Sequence, residues 1–152
     1  MIDIFYTHEE TNSDDFIRKI LSAYYNIPNA PICKSINGKP YIPGRKIHFN
    51  LTHSESLSGK ARPAVLKKFT EREKGEIFSV PDFYTHWTAR ESYVKFYGET
   101  LAAWWRKVEY FGGKIWFCGE ETDAHILQFE LDGYVFSVCG DYTRVSLHKV
   151  GK

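Results

Sequence analysis

The chain has 152 residues, a length that suits one compact domain. Hydrophobic residues make up 43% and charged residues 26%, the balance of a globular protein, and the formal net charge is only +1. Such a charge gives no general reason to expect binding to nucleic acid or to a membrane, so an anion site must come from local clustering.

The amino-terminal residues and the cysteines favour a cytoplasmic protein. The opening MIDIFY lacks the basic region and apolar run of a signal peptide, and no stretch approaches the ~18 apolar residues that cross a bilayer. The three cysteines, Cys33, Cys118 and Cys139, are widely spaced and odd in number. This pattern indicates reduced thiols that pack in the interior.

The first third of the chain contains signals for two strands and a helix. Ile2, Ile4 and Tyr6 alternate with Asp3 and Phe5, which suits an opening strand. Ser13 is the predicted cap of a helix that ends at Asn26. Residues 28–46 are rich in turn formers, and residues 47–51 alternate again, which predicts a short strand.

Helices and then an antiparallel sheet are predicted in the rest of the chain. Pro63 begins one short helix, residues 70–73 form a capping box for a second, and a third runs from about Asp82 to Tyr97. Strand-like runs follow near 104–110, 114–118, 125–131 and 133–139, with a hairpin turn at 132–133. The fold class is therefore α+β, with helices packed on an antiparallel sheet, in a single domain over residues 1–152.

Most charged residues and histidines carry no signal of function. A solvated helix face is indicated by the mixed charges Lys67, Lys68, Glu71, Arg72, Glu73, Lys74 and Glu76. Structural roles are expected for His8, His86, His125 and His148. Residues 104–107, WWRK, suggest single-stranded nucleic-acid binding, but the near-neutral charge favours a strand that packs its aromatic rings, and we expect no nucleic-acid partner.

Three motifs in order combine the residue types of a phosphate site. They read GKPYIP at 38–43, HFNLTHS at 48–54 and WTARESYVK at 87–95. In a helix, Trp87, Glu91 and Lys95 share one face, where a carboxylate suits a hard cation and an ammonium meets phosphate oxygens. The alternative is an exposed Glu–Lys pair worth roughly 0.3–0.5 kcal/mol.

These motifs, with the closing hairpin FELDGYVFSVC at 129–139, resemble the 4′-phosphopantetheinyl transferases of the surfactin-synthetase activator type. The resemblance covers most of residues 13–140 and implies that family's fold. It also implies transfer of the phosphopantetheine arm of coenzyme A, with Mg²⁺, to a serine of an acyl or peptidyl carrier protein. We expect a monomer.

The resemblance also assigns roles to individual residues. Glu91 and Lys95 are the implied catalytic residues, and Glu91 is the implied Mg²⁺ ligand. The residues implied to bind coenzyme A are Arg18, Lys39, Pro40, Thr52, His53 and Lys95. Arg18 could equally be a solvated charge on a helix face, and Lys39 presents its amine from a stiff turn before a proline.

The chain departs from the family at the metal site. The G-[IV]-D-x-E motif, which supplies the other acidic ligands, is absent, and no aspartate occurs between Asp15 and Asp82. Arg90 stands where the family usually has lysine. The alternative function is therefore a non-catalytic relative that binds coenzyme A or a nucleotide without a competent metal site.

The missing motif also leads to a structural expectation. Strand 47–51 needs a neighbour for its backbone groups, and the family supplies one from the absent segment. We expect a break in the chain between Leu57 and Ala61, where that segment would stand.

Overall fold

The structure, a computed structural model, describes residues 1–50, 63–141 and 144–151. The chain divides into two compact units, a terminal unit (Met1–Leu51 with Asp141–Lys152) and a central unit (Thr52–Gly140). In chain order the elements are β1 (Ile2–Tyr6), α1 (Ser13–Tyr25), β2 (Cys33–Lys34), β3 (Pro40–Tyr41), α2 (Pro63–Leu66), α3 (Glu71–Lys74), α4 (Val80–Phe96), α5 (Leu101–Trp104), β4 (Val108–Phe111), β5 (Lys114–Phe117), β6 (Glu120–Glu121), β7 (Ile126–Leu131), β8 (Tyr134–Cys139) and β9 (Val145–Lys149).

The terminal unit joins the two ends of the sequence. Strand β1, which was predicted, pairs in parallel with β9, which was not, in a register that places Ile2 opposite Val145. Helix α1 is confirmed, but its N-cap is Asn12 and not Ser13, because the Asn12 side chain accepts the amide hydrogen of Asp15 at 2.8 Å. Asn26, in the left-handed conformation with φ 52°, ends the helix.

The strand predicted at 47–51 is wrong for its described part. Residues 47–50 are not in a strand, and they pair with no strand of the described chain. A strand forms only when a partner satisfies its backbone, and Phe49 instead packs against an apolar cluster made of Ile17, Leu21, Ala30 and Ile42. Leu51 and the break expected between Leu57 and Ala61 lie outside the described residues.

The central unit follows the predicted order of helices and then strands. Ser79 caps α4 by accepting the amide hydrogen of Asp82 at 3.2 Å, and Gly98, at φ 76°, follows the helix end. Strands β7 and β8 form the predicted hairpin, with Asp132 at φ 51° and Gly133 at φ 76° in its turn. Strands β4, β5 and β6 form a separate antiparallel sheet.

The strand predicted at 104–110 begins later than expected. Thr100 caps the short helix α5 by accepting the amide hydrogen of Ala103, so Trp104 is helical and Trp105 lies in the following turn. Only Val108–Phe111 pairs as a strand. The N-cap signal at Thr100 therefore overrides the strand propensity of the two tryptophans.

A chain of hydrogen bonds ties α4 to the strands of the central unit. The Tyr110 hydroxyl donates to the side-chain oxygen Oε1 of Gln128 at 2.7 Å, and the side-chain nitrogen Nε2 of Gln128 donates to the Ser137 hydroxyl at 2.8 Å. Thr88 donates its own hydrogen to the carbonyl oxygen of Tyr84, so the Ser137 hydroxyl donates to Thr88. Each hydroxyl hydrogen thus has one acceptor, and the network fixes the helix against the hairpin.

The structure is mixed α and β with small sheets, which agrees with the α+β class in general. The phosphopantetheinyl-transferase fold and the single domain stay predictions. Within the described ranges, no helix is both long enough and apolar enough to cross a membrane. The three cysteines are free thiols. Cys33 and Cys139 are half-buried, but Cys118 is exposed, so the interior packing expected for Cys118 is wrong.

Candidate active site

Helix α4 brings Glu91 and Lys95 together, as its sequence predicts. The Lys95 ammonium lies 3.1 Å from a Glu91 carboxylate oxygen, and the two side chains are 29% and 23% exposed. Trp87 stands one turn earlier on the same face and packs against Phe83 and Trp105. The pair is thus held on a helix while remaining within reach of solvent.

This arrangement offers one acceptor of protons and one positive charge. A carboxylate can accept a proton from an attacking hydroxyl, and an ammonium can neutralise a phosphate oxygen. Tyr93 on the same helix does not provide a base, because burial raises its pKa to about 12 and the phenol stays protonated near neutral pH. Within the Glu91–Lys95 pair, the carboxylate of Glu91 is the group that can accept a proton.

Arg90 points into the interior, whereas its neighbour Glu91 is partly exposed. Its side chain is fully buried and forms a two-pronged ion pair with the equally buried Glu73 of α3, in which Nε donates at 2.8 Å and Nη2 also donates. Nη1 donates to the carbonyl oxygen of Trp105 at 3.3 Å. The guanidinium lies 4.8 Å from the ring centre of Phe69 and 4.5 Å from that of Trp105. Arg90 therefore belongs to the interior.

Glu73 is the residue that the sequence interpretation missed. The stretch from Lys67 to Glu76 was predicted to be a solvated helix face, which is wrong for Glu73. Its carboxylate accepts the amide hydrogens of Thr70 at 2.9 Å and Tyr110 at 2.8 Å in addition to the Arg90 bonds. The capping box contained the available signal, because its glutamate must turn back towards the backbone and away from solvent.

The described residues do not by themselves fit a Mg²⁺ ion. Mg²⁺ requires near-octahedral oxygen coordination. Within 1–50, 63–141 and 144–151, no group of three or more His, Cys, Asp or Glu side chains is placed to hold a metal. Glu91 supplies one carboxylate, and that carboxylate already faces an ammonium.

The predicted coenzyme-binding residues of the terminal unit lie on two elements. Lys39 closes the turn between β2 and β3, where its amide donates to the Ser35 hydroxyl at 3.1 Å, and Pro40 is the first residue of β3. Arg18 lies on α1 and donates to the carbonyl oxygen of Ala30 at 3.1 Å. Arg18 thus holds the chain that follows α1.

Thr52 and His53 lie outside the described residues. Lys39 belongs to the terminal unit and Lys95 to the central unit. The hypothesis that Lys39, His53 and Lys95 meet in one pocket therefore stays a prediction.

The two tryptophans considered for nucleic-acid binding make contacts within the central unit. Trp105 donates its indole hydrogen to the carbonyl oxygen of Lys68 at 2.8 Å and packs on Phe69. Trp104 packs on Phe117, with ring centres 4.9 Å apart. These contacts favour the packing role.

His86 is likewise embedded in the central unit. Its Nδ1 lies 2.9 Å from the carbonyl oxygen of Asp82, and its Nε2 lies 3.0 Å from a carboxylate oxygen of Glu76. The ring is buried, which agrees with the structural role that was expected.

Comparisons with known protein families, with curated proteins and with solved structures find no match to this chain.

Proposed function

We propose that this protein transfers 4′-phosphopantetheine from coenzyme A to a serine of an acyl or peptidyl carrier protein. The observation that carries the proposal is the Glu91–Lys95 pair, which is 3.1 Å apart on α4 and partly exposed. The pair lies within the segment WTARESYVK, whose resemblance to the transferase motif supplies the substrate class.

The reaction needs a base and positive charge at the reacting phosphate. The carrier serine hydroxyl attacks the β-phosphorus of coenzyme A, a new oxygen–phosphorus bond forms, and the bond to the α-phosphate breaks to release 3′,5′-ADP. Glu91 accepts the serine proton, directly or through water, while Lys95 neutralises charge on the phosphate oxygens. Such a reaction depends mainly on positioning and charge neutralisation.

The remaining roles come from the resemblance alone. Lys39, Pro40 and Arg18 are proposed to contact coenzyme A, together with Thr52 and His53. Mg²⁺ is proposed as the metal, with Glu91 as its implied ligand. The resemblance further suggests a monomer, and the pattern of three widely spaced cysteines suggests a cytoplasmic location.

A second candidate function is a non-catalytic protein that binds coenzyme A or a nucleotide. Two observations favour it. The G-[IV]-D-x-E motif is absent from the sequence, and the described residues hold no cluster of acids for a metal. Without neutralisation of the pyrophosphate, such a protein binds the coenzyme and leaves its bonds intact.

One experiment separates the two candidates. The protein is incubated with Mg²⁺, coenzyme A and an apo acyl carrier protein, and the carrier is weighed by mass spectrometry. A gain of one phosphopantetheine supports the transferase. Calorimetric binding of coenzyme A with no change in the carrier mass supports the binding protein, and the absence of both rejects the resemblance as a guide to function.

We predict that Glu91→Ala lowers the transfer rate by about 100-fold or more, because the base is lost. The variant should still fold, since the partly exposed Glu91–Lys95 pair contributes only about 0.3–0.5 kcal/mol to the free energy of unfolding. Glu130→Ala, which removes an exposed carboxylate of β7, is the matched control and should transfer at the wild-type rate. Near wild-type transfer by Glu91→Ala would remove Glu91 from the site.

A further inference from the structure

Two consecutive residues of α4 point in different directions. Successive residues of an α-helix are turned by about 100° around its axis. This turn places Arg90 in the interior with no exposed side-chain surface, while Glu91 is 23% exposed. The rotation of the helix that buries Arg90 therefore also sets the direction of Glu91.

Arg90 is bonded to groups outside its own helix. The guanidinium donates to Glu73 of α3 and to the carbonyl oxygen of Trp105, in the turn after α5. Glu73 in turn accepts the amide hydrogen of Tyr110 in β4 at 2.8 Å. The rotation of α4 is thus tied to three other parts of the central unit.

We infer that Arg90 is a positioning residue for the reaction: through its buried pair with Glu73 it fixes the rotation of α4 and hence the placement of Glu91 and Lys95. The inference rests on the proposed function. The planar guanidinium makes two parallel bonds to the carboxylate and lies over the rings of Phe69 and Trp105. Lysine offers a single point charge and cannot reproduce this geometry.

The central unit contains a natural control for this role. Arg72 also pairs with a glutamate, Glu109, and its guanidinium also lies over two rings, those of Phe111 and Trp116. Arg72 is partly exposed and its bonds run to Glu109 of β4, so we expect the same substitution there to leave α4 in place. Arg90→Lys and Arg72→Lys can therefore be compared directly.

The first measurement is the steady-state rate of transfer at a temperature where circular dichroism shows each variant folded. We expect Arg90→Lys to lower kcat by about 10- to 100-fold, because a small misplacement of reacting groups is costly. The KM for coenzyme A should change less than kcat, because only Lys95 is misplaced while the coenzyme contacts proposed for Arg18 and Lys39 remain. Arg72→Lys should change neither value, and an unchanged kcat in folded Arg90→Lys overturns the inference.

The second measurement needs no turnover and decides the inference if the wild-type protein transfers nothing. Lysine acetylation rates are followed by peptide mass spectrometry, with Lys114, which pairs with Glu121 at 3.6 Å, as the internal reference. In Arg90→Lys, the ratio of the Lys95 rate to the Lys114 rate should change about threefold or more, the scale of a disturbed exposed ion pair. An unchanged ratio overturns the positioning role.

A second variant covers the case in which Arg90→Lys does not fold. Glu73→Gln keeps the carbonyl acceptor for the Tyr110 amide and removes the charge that orients Arg90. It should show the same loss of kcat, or the same change in the labelling ratio, as Arg90→Lys. The absence of transfer by the wild type thus rejects the proposed function, whereas unchanged variants reject the positioning role.

Discussion

Two arginines of the central unit make the same kind of contacts in different surroundings. Arg90 and Arg72 each pair with a glutamate, and each guanidinium lies within about 5 Å of two aromatic rings. The Arg90–Glu73 pair is fully buried, whereas the Arg72 and Glu109 side chains are 36% and 18% exposed.

This difference decides what each pair does. Water can replace the partner of an exposed charge, so an exposed pair contributes little to stability. A buried charge that loses its partner has no such replacement. The buried pair therefore fixes where α4 sits, and the exposed pair chiefly covers the neighbouring strands.

The largest expected effect is the loss of stability on removing the buried arginine. Arg90→Met should lower the free energy of unfolding by about 3–5 kcal/mol, because Glu73 is left buried without its counter-charge. Arg72→Met, the matched control, should lower it by about 1 kcal/mol or less. Urea denaturation of both variants measures the difference, and equal losses would contradict the role of burial.

A smaller effect should appear when the charge left in the interior is also removed. The double variant Arg90→Met with Glu73→Gln should be more stable than Arg90→Met alone by about 1–3 kcal/mol. Glutamine removes the charge and keeps one carbonyl oxygen, which can accept the amide hydrogen of Tyr110, although the separate bond from the Thr70 amide to the other carboxylate oxygen is lost. A double variant as unstable as the sum of the two single ones would show that the residues act independently.

Local signals in the sequence predicted much of the central unit. The capping box at Thr70, the long helix α4 and the hairpin turn at Asp132 and Gly133 each depend on residues within a few positions of one another. The shared face of Glu91 and Lys95 followed from helical spacing alone.

Contacts between distant residues account for what could not be predicted. The parallel pairing of β1 with β9 joins the two ends of the described chain, and no local pattern shows which strand is the partner. The burial of Glu73 depends on Arg90 and Tyr110, which are far along the sequence, so its charged neighbours indicated a solvated face. The sequence shows that Glu73 is acidic, but it does not show that Arg90 is its partner.

The smallest expected effect is the change in stability that the Arg72–Glu109 pair causes when the pH falls. The hydrogen bond from Arg72 lowers the pKa of Glu109, and the hydroxyl of Thr70, which donates to Glu109 at 2.8 Å, acts in the same direction. A carboxyl whose pKa is lower in the folded state stabilises the fold above its unfolded pKa, and that stability is lost as pH falls through the folded pKa.

Glu109→Gln should therefore lose less free energy of unfolding than the wild type when the pH falls from neutral to below the usual carboxyl range. The difference should be a few tenths to about 1 kcal/mol, because solvent screens the pair. Glu120→Gln, which removes an exposed carboxylate of β6, is the control and should follow the wild-type curve. Urea denaturation at a series of pH values measures the three curves. Parallel curves for Glu109→Gln and the wild type would mean that Arg72 does not lower the pKa of Glu109 in solution. The contributions of the Arg72–Glu109 and Arg90–Glu73 pairs to the free energy of unfolding would then differ even more than their exposure indicates.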